Sequence, residues 1–224
     1  ATINMLDSNP IFQAGSCGWA ESGSLNLTQR ALSVCDIKLN ESVCLNTLED
    51  YYTSTMMRPG SYDESIPFEE LYATEKANQI SNYVDTLAWQ GNTGGSGNLA
   101  LCDGFIKQME ADAAISGSAT NEVSGMTFLA ANIIDEIDSM VELVNTDVIN
   151  HDDLTLFLGY DTYRTYAKAL RDANFFAYTG AENQGQDFSQ VIPGTNVKVM
   201  AVKGLNGQNR AVLTPASNLY LGTD

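Results

Sequence analysis

Apolar residues change their spacing several times along the chain, and each change marks a candidate element. Phe68, Leu71, Tyr72, Ile80, Tyr83, Val84 and Leu87 recur at steps of three and four, with a polar gap around Glu75 and Lys76. Ser65, Pro67, Glu69 and Glu70 form a helix start, because proline suits the first turn and the acids face the positive end of the macrodipole. This predicts a helix from Pro67 to Ala88 of about 22 residues, roughly 33 Å long. It ends at Trp89-Gln90-Gly91, where Gly91 is expected to supply a left-handed stop. Met126, Ala130, Ile133, Ile137, Met140 and Val144 mark a second amphipathic helix, with Asp135, Glu136, Asp138 and Glu142 opposite. A third runs from Tyr160 to Asp172, with Tyr163, Tyr166, Ala167 and Leu170 inward and Arg164, Lys168 and Arg171 outward.

Around these helices the pattern is strand-like or broken. Residues 1 to 24 hold Pro10, Gly15, Gly18 and Gly23 without a sustained period and read as an extended arm or loop. Leu25 to Leu39 partly alternates, as a half-exposed strand does. Ser42 is placed to cap a short helix through Tyr52, followed by a loop over Arg58-Pro59-Gly60 and Asp63 to Pro67. Asn92 to Gly97 is a glycine-rich flexible loop, Asp103 to Ala113 a short helix, and Ser116 to Ser124 a polar linker where a domain boundary is expected. Leu154 to Leu158, Val191 to Pro193, Val197 to Val202, Ala211 to Leu213 and Leu219 to Leu221 are strand candidates. Asn206-Gly207 between two of them matches a type I′ hairpin. The fold class is therefore α+β, with helices segregated from a mainly antiparallel sheet.

Composition narrows the function. The 224 residues carry 28 Asp+Glu against 11 Lys+Arg, giving 11 − 28 = −17, and charged residues make up only 17%. No two basic residues are adjacent, so the basic footprint of a duplex reader is missing. No apolar run approaches the ~20 residues that span a bilayer. Ala1-Thr2-Ile3-Asn4 has neither a charged nor an apolar leader region, so no signal peptide is predicted. Cys17, Cys35, Cys44 and Cys102 lack CxxC spacing, and His151 is the only histidine, which disfavours zinc. Their irregular spacing, with Cys35 and Cys44 in apolar patterns, leads us to expect reduced, structural thiols and an intracellular redox setting.

Candidate chemistry is sparse. The glycines of residues 91–97 lack the lysine and following helix of a phosphate cradle. His151-Asp152-Asp153 offers a base beside carboxylates, yet His151 and Asp152 would point to opposite faces of a strand, so capping or loop roles are expected. Asp135, Glu136 and Asp138 have no EF-hand spacing and read as a solvated face. Asp63-Glu64 and Glu69-Glu70 read as charge at a helix start. Asn26-Leu27-Thr28 and Asn40-Glu41-Ser42 match the glycosylation acceptor by chance. Tyr160, Tyr163 and Tyr166 form a candidate ligand box, with core packing the commoner role at that spacing. The expectation is no catalytic, cofactor-binding or metal-binding residues and a structural protein.

Taken in order, the pieces resemble the major capsid protein family of tailed bacteriophages, whose fold is shared with encapsulin shells. Pro67 to Ala88, then Trp89-Gln90-Gly91-Asn92 and Leu101-Cys102-Asp103-Gly104-Phe105-Ile106, resembles the family's spine helix and a following "W-x-G … G-[IF]-[IL]" stretch. Asp152 to Tyr160, the helix Tyr163 to Arg171 and Asn174-Phe175-Phe176 are similar to its axial-domain strand, helix and closing aromatic. Ile192 to Val199 is similar to a "G-x-x-V" strand, and Thr214 to Asp224 to an "N-L-[FY]-x-G-x-D" ending. The resemblance covers most of residues 20 to 224. It implies an N-terminal arm and extended loop over 1–64, spine helix and part of a peripheral domain over 65–112, and an axial domain over 113–224. The family's closing peripheral strands are missing, which suggests a piece of a longer chain.

The implied function is assembly. Copies would form hexamers and pentamers in a virion shell around the genome, from subunits held in the host cytoplasm beforehand, with portal and scaffold proteins as partners. No sequence-specific nucleic acid or membrane partner is implied. The alternatives are an encapsulin-like shell, or a ligand-binding or enzymatic α+β domain using the tyrosine-rich helix and acidic patch.

Overall fold

The computed structural model describes residues 2–9, 11–13, 15, 22–32, 34–42, 68–116, 121–173 and 189–222. The helix expected from Ser42 to Tyr52, the loop over 58–67 with Ser65 and Pro67, and the aromatic pair Phe175-Phe176 lie outside them. The chain divides into two compact units, Ala1–Asp36 with Tyr220–Asp224, and Ile37–Leu219.

In the first unit, β1 (Thr2–Asn9) pairs antiparallel with β2 (Ser24–Ala31) from Thr2↔Ala31 to Asn9↔Ser24. The expected loop over residues 1 to 24 is thus corrected: Thr2 to Asn9 is a full strand. The expected strand over Leu25 to Leu39 is shortened to Ser24–Ala31, and residues 34–42 hold no helix or strand. The absence of a period had a physical cause. A sheet exposed on both faces imposes no alternation, and nearly every residue of both strands is exposed.

The second unit holds four α-helices among the described residues: α1 (Phe68–Gln90), α2 (Phe105–Ala111), α3 (Ile133–Glu142) and α4 (Tyr160–Asp172). Its sheet contains β3 (Leu154–Gly159), β4 (Ser189–Val191), β5 (Lys198–Val202) and β6 (Val212–Pro215) in the order β4-β5-β3-β6. β3 runs parallel to β5, with Leu156 opposite Val199, and antiparallel to β6, with Leu156 opposite Leu213. The architecture is mixed α+β, and the sheet is mainly antiparallel as expected, with β3–β5 its parallel pairing. β3 is central and buried throughout, which is why it reads as an unbroken run, Leu-Thr-Leu-Phe-Leu.

The two faces of β3 serve two cores. Leu154, Leu156 and Leu158 pack with Val197, Val199 and Ala201 against Ile133 and Ile137 of α3 and Tyr163, Tyr166, Ala169 and Leu170 of α4. Phe157 points the other way, into a smaller cluster with Trp89 and Leu205. α4 matches its expected bounds, with Asp161 in its first turn and Arg171 in its last, each complementing the macrodipole. α3 is shorter than the apolar pattern suggested. The Asn132 carboxamide oxygen accepts the Leu129 N–H at 3.0 Å, closing a turn before the helix, and Gly125 has a φ of 76°.

Three expectations at the end of the chain are corrected. β6 pairs with β3 instead of β5, so Asn206-Gly207 joins no hairpin. Asn206 (φ −63°, ψ 136°) and Gly207 (φ 74°) form a type II turn, closed by the Gln208 N–H on the Leu205 carbonyl at 3.1 Å. Leu219 to Leu221 is not a strand; a 3-10 turn, Ala216–Asn218, ends the sheet unit instead.

Candidate functional site

The densest constellation of specific contacts lies where α1 ends. Trp89 is buried, with its ring 5.2 Å from Phe105 at 68° and 5.4 Å from Phe157 at 49°, both favourable aromatic geometries. Gly204 receives it: a Cβ there would lie 2.2 Å from Trp89 Cδ1 and 2.7 Å from the Asp85 carbonyl oxygen. Beside the ring, the Gln90 amide nitrogen donates to the carbonyls of Gly204 (2.6 Å) and Asn206 (3.2 Å), and its oxygen accepts from the Gln208 amide at 3.0 Å. Both amide protons and the oxygen are thus engaged. Asp161 fixes the same turn from the start of α4. Its carboxylate accepts the Gly207 N–H at 3.0 Å and the Thr162 N–H at 2.9 Å, while its own N–H donates to the Asn206 side chain at 3.3 Å.

A backbone crossing completes the joint. The Gly104 N–H donates to the Gly91 carbonyl at 2.9 Å. A Cβ on Gly91 would sit 2.4 Å from the Cys102 carbonyl oxygen and 2.6 Å from that of Leu87; on Gly104 it would meet three backbone atoms at 2.8 Å. Gly91 is not in the left-handed region, so the expected left-handed stop is corrected: close backbone approach is what requires glycine here. The loop beyond is stapled, since the Asp103 carboxylate accepts the Thr93 N–H at 2.8 Å and its hydroxyl at 2.9 Å. Those bonds hold the Asp103 carboxyl below its ordinary range.

Sequence reasoning picked out Trp89, Gly91, Gly104 and Phe105 as a linear pattern, and they meet in space. Gly204 and Asp161 were missed, and Gln90 was named only as the variable residue of that pattern. A lone Lys-Gly-Leu carries no local signal that an indole from far upstream lands on it.

The catalytic candidates are capped or buried. The His151 imidazole Nδ1 contacts Asp153 Oδ1, while Asp153 Oδ2 accepts the Ser217 N–H at 2.9 Å. The Ser217 side chain also bonds Asp153, so the carboxylate stands where an acyl-transfer triad needs the imidazole. These bonds to Ser217, with His151 adding to them, hold the Asp153 carboxyl below its usual value. The anchor is therefore complete above the unfolded carboxylate range and is lost as pH falls through the lowered folded value. We expect Asp153→Ala to lower Tm at pH 7 by about 2–4 °C, the scale of a lost cap in a chain this size. Thermal melts of both proteins should converge in strong acid, where Asp153 is protonated; an undiminished gap there would contradict the assignment.

Tyr163 and Tyr166 lie in the larger core and only Tyr160 is half-exposed, so the three do not line a common open box. Burial raises the pKa of both buried phenols, with the Asp138 charge adding to the effect at Tyr166. Asp138 is itself pushed up, first by desolvation and then by Asp135 and Glu142. No group of three or more His, Cys, Asp or Glu among the described residues is arranged to hold a metal ion. No helix among them is long and apolar enough to cross a membrane. Asp63 and Glu64 fall outside the described residues.

The cysteine reading is corrected at two positions, while Cys17 and Cys44 lie outside the described residues. Cys35 and Cys102 are both disulfide-bonded, and Cys35 is exposed, not a buried free thiol. Its apolar neighbours mimic a core pattern on a segment that has no core, and spacing alone carries no pairing information.

Two apolar surfaces are left bare. On β1–β2, directly opposed residues share a face, so Leu6 (67% exposed) and Leu27 (71%) lie side by side with Leu25 next to them. On α1, Ile80, Tyr83 and Val84 are exposed, whereas Leu87 and Trp89 near its end are buried. Comparison with protein-family models, curated proteins and solved structures found no match to this chain.

Proposed function

We propose that the chain is a structural major capsid protein of a tailed phage or prophage, assembling through copies of itself into an icosahedral shell around a genome. The observation that carries this reading is the bare leucine face of β1–β2. An isolated two-stranded sheet is marginal in water, and a leucine pair exposed on it gains stability only when another surface covers it. A second copy supplies that surface in a shell. Further support comes from the exposed apolar stripe of α1. The joint at Trp89, Gly91, Gly104 and Phe105 adds to it, being built from the residues that carry the family resemblance.

In this reading residues 1–64 are arm and extended loop, 65–112 spine helix and part of a peripheral domain, and 113–224 axial domain. Hexamers and pentamers form the virion shell from subunits gathered in the host cytoplasm, with portal and scaffold proteins as partners. The net charge of −17 favours a second reading, an encapsulin-like shell without a viral genome, since acidic walls repel packaged nucleic acid.

Light scattering and electron microscopy of the full-length protein over a concentration series test the proposal. Shell-sized particles should form above a threshold, and Leu27→Asp should raise that threshold roughly tenfold or more by placing a charge in the covered face. The circular dichroism of the sheet unit should stay unchanged. A full-length protein that remains monomeric throughout would sink the shell reading.

A further inference from the structure

We propose that Asn206-Gly207 is a deamidation site that the folded joint holds shut, so that the chain acquires an acid at position 206 only while that turn is open. The inference stands apart from the shell reading. Asn206-Gly207 is the single Asn-Gly pair of the sequence, and glycine leaves the attacking backbone nitrogen unhindered. Both residues are exposed, so water reaches them. The geometry nevertheless opposes the reaction. Ring closure needs the Gly207 nitrogen nearly eclipsed with Asn206 Cβ, which takes ψ to negative values, and Asn206 sits at ψ 136°. Hydrogen bonds pin it there. Its N–H donates to the Lys203 carbonyl at 3.0 Å, and its own carbonyl accepts from the Gln90 amide at 3.2 Å. Its side-chain oxygen accepts the Asp161 N–H at 3.3 Å. The Gly207 N–H, whose nitrogen is the nucleophile, donates to the Asp161 carboxylate at 3.0 Å. That nitrogen attacks as the amide anion, and a carboxylate holding its proton disfavours a second negative charge beside it.

Once the turn opens, the Gly207 nitrogen gives its proton to solvent and bonds to Asn206 Cγ. The bond from Cγ to the side-chain nitrogen breaks, ammonia leaves with a proton, and a five-membered succinimide remains. Water then opens one of its two carbonyls, giving aspartate or isoaspartate. The net change is carboxamide plus water to carboxylate plus ammonium, with no oxidation or reduction. Neither product refits the turn. Aspartate sets a second carboxylate against that of Asp161. Isoaspartate lengthens the main chain by a carbon and displaces the groups that Gln90 and Asp161 hold. A brief local opening is thereby recorded as a permanent mark on the joint.

Incubating the full chain at mildly alkaline pH, native and in urea, tests this. A brief trypsin digestion after Lys203 and Arg210 releases the peptide Gly204 to Arg210, in which tandem mass spectrometry separates Asn206 from Asn209. Asn206 should deamidate in urea, and in the native chain roughly tenfold or more slowly, the rate equivalent of one hydrogen bond to a charged group. Asp161→Ala, shown by circular dichroism to be folded, should speed the native reaction about tenfold. Gln90→Ala, which frees the Asn206 carbonyl, should speed it by a smaller factor, and neither substitution should alter the rate in urea. Equal native and urea rates, or no reaction at Asn206 in urea, would overturn the proposal. A folded Asp161→Ala variant that reacts no faster than the native chain would overturn it too, since the carboxylate would then be idle or a base that assists attack. Should that variant fail to fold, the wild-type comparison and Gln90→Ala still decide.

Discussion

Gly91→Ala should destabilise the sheet-containing unit by about 3 kcal/mol, the upper end of what overpacking a close-packed site costs. The added methyl would sit 2.4 Å from the Cys102 carbonyl oxygen and 2.6 Å from the Leu87 oxygen. Both obstacles are main chain, so no rotamer change relieves them. The backbones must move apart, and the Gly104 N–H bond to the Gly91 carbonyl breaks as they do. Gly104→Ala should behave alike, since its methyl would meet the Ala88 and Leu87 oxygens and the Gly91 nitrogen. By contrast, Gly95→Ala, where the nearest backbone atom is 3.1 Å away, should fall within about 1 kcal/mol of wild type. Denaturant unfolding followed by circular dichroism separates the two classes. Equal midpoints for Gly91→Ala and Gly95→Ala would show that the crossing is not tightly packed.

Trp89→Ala should cost about 4 kcal/mol, within the range for emptying a buried aromatic site. It removes the ring that Phe105 and Phe157 flank. A sharper result concerns its partner. Gly204→Ala alone should cost about 3 kcal/mol, because the methyl and the indole claim the same space. In a Trp89→Ala background it should cost about 1–2 kcal/mol less, as the indole clash is gone while the Asp85 carbonyl oxygen at 2.7 Å still obstructs. A double-mutant cycle measured by urea denaturation gives that coupling directly. Additive costs would mean that the two residues do not share the site.

What could be read from the sequence follows from how local each signal is. α4 and β3 were legible because each buries a face whose period is written in consecutive residues: Tyr163, Tyr166 and Leu170 along α4, or Leu154, Leu156 and Leu158 along β3. α1 was legible from its three- and four-residue apolar spacing, although Ile80, Tyr83 and Val84 on it are exposed. β1 was missed because neither face is buried, so no selection for alternation acts on Thr2 to Asn9. The sheet order was misread for a different reason. Asn206-Gly207 satisfies both a hairpin turn and a type II turn, and only the insertion of β3 between β5 and β6 distinguishes them. The joint at Trp89 was half legible, as a linear motif without its receptor at Gly204. The Cys35 disulfide was illegible, because partners across irregular segments leave no spacing rule.

The joint also constrains how the chain folds as it is made. Gln90 and Gly204, hydrogen-bonded in the finished protein, are 114 positions apart. At ~5–20 residues per second, synthesis leaves that gap open for roughly 6–23 s. During that interval the indole has no receptor, and β3 waits for β5 and β6, both further along the chain. Such non-local closure slows folding and leaves apolar surface bare to other nascent chains. The folding yield of such a chain should therefore fall faster with expression rate than its final stability would suggest.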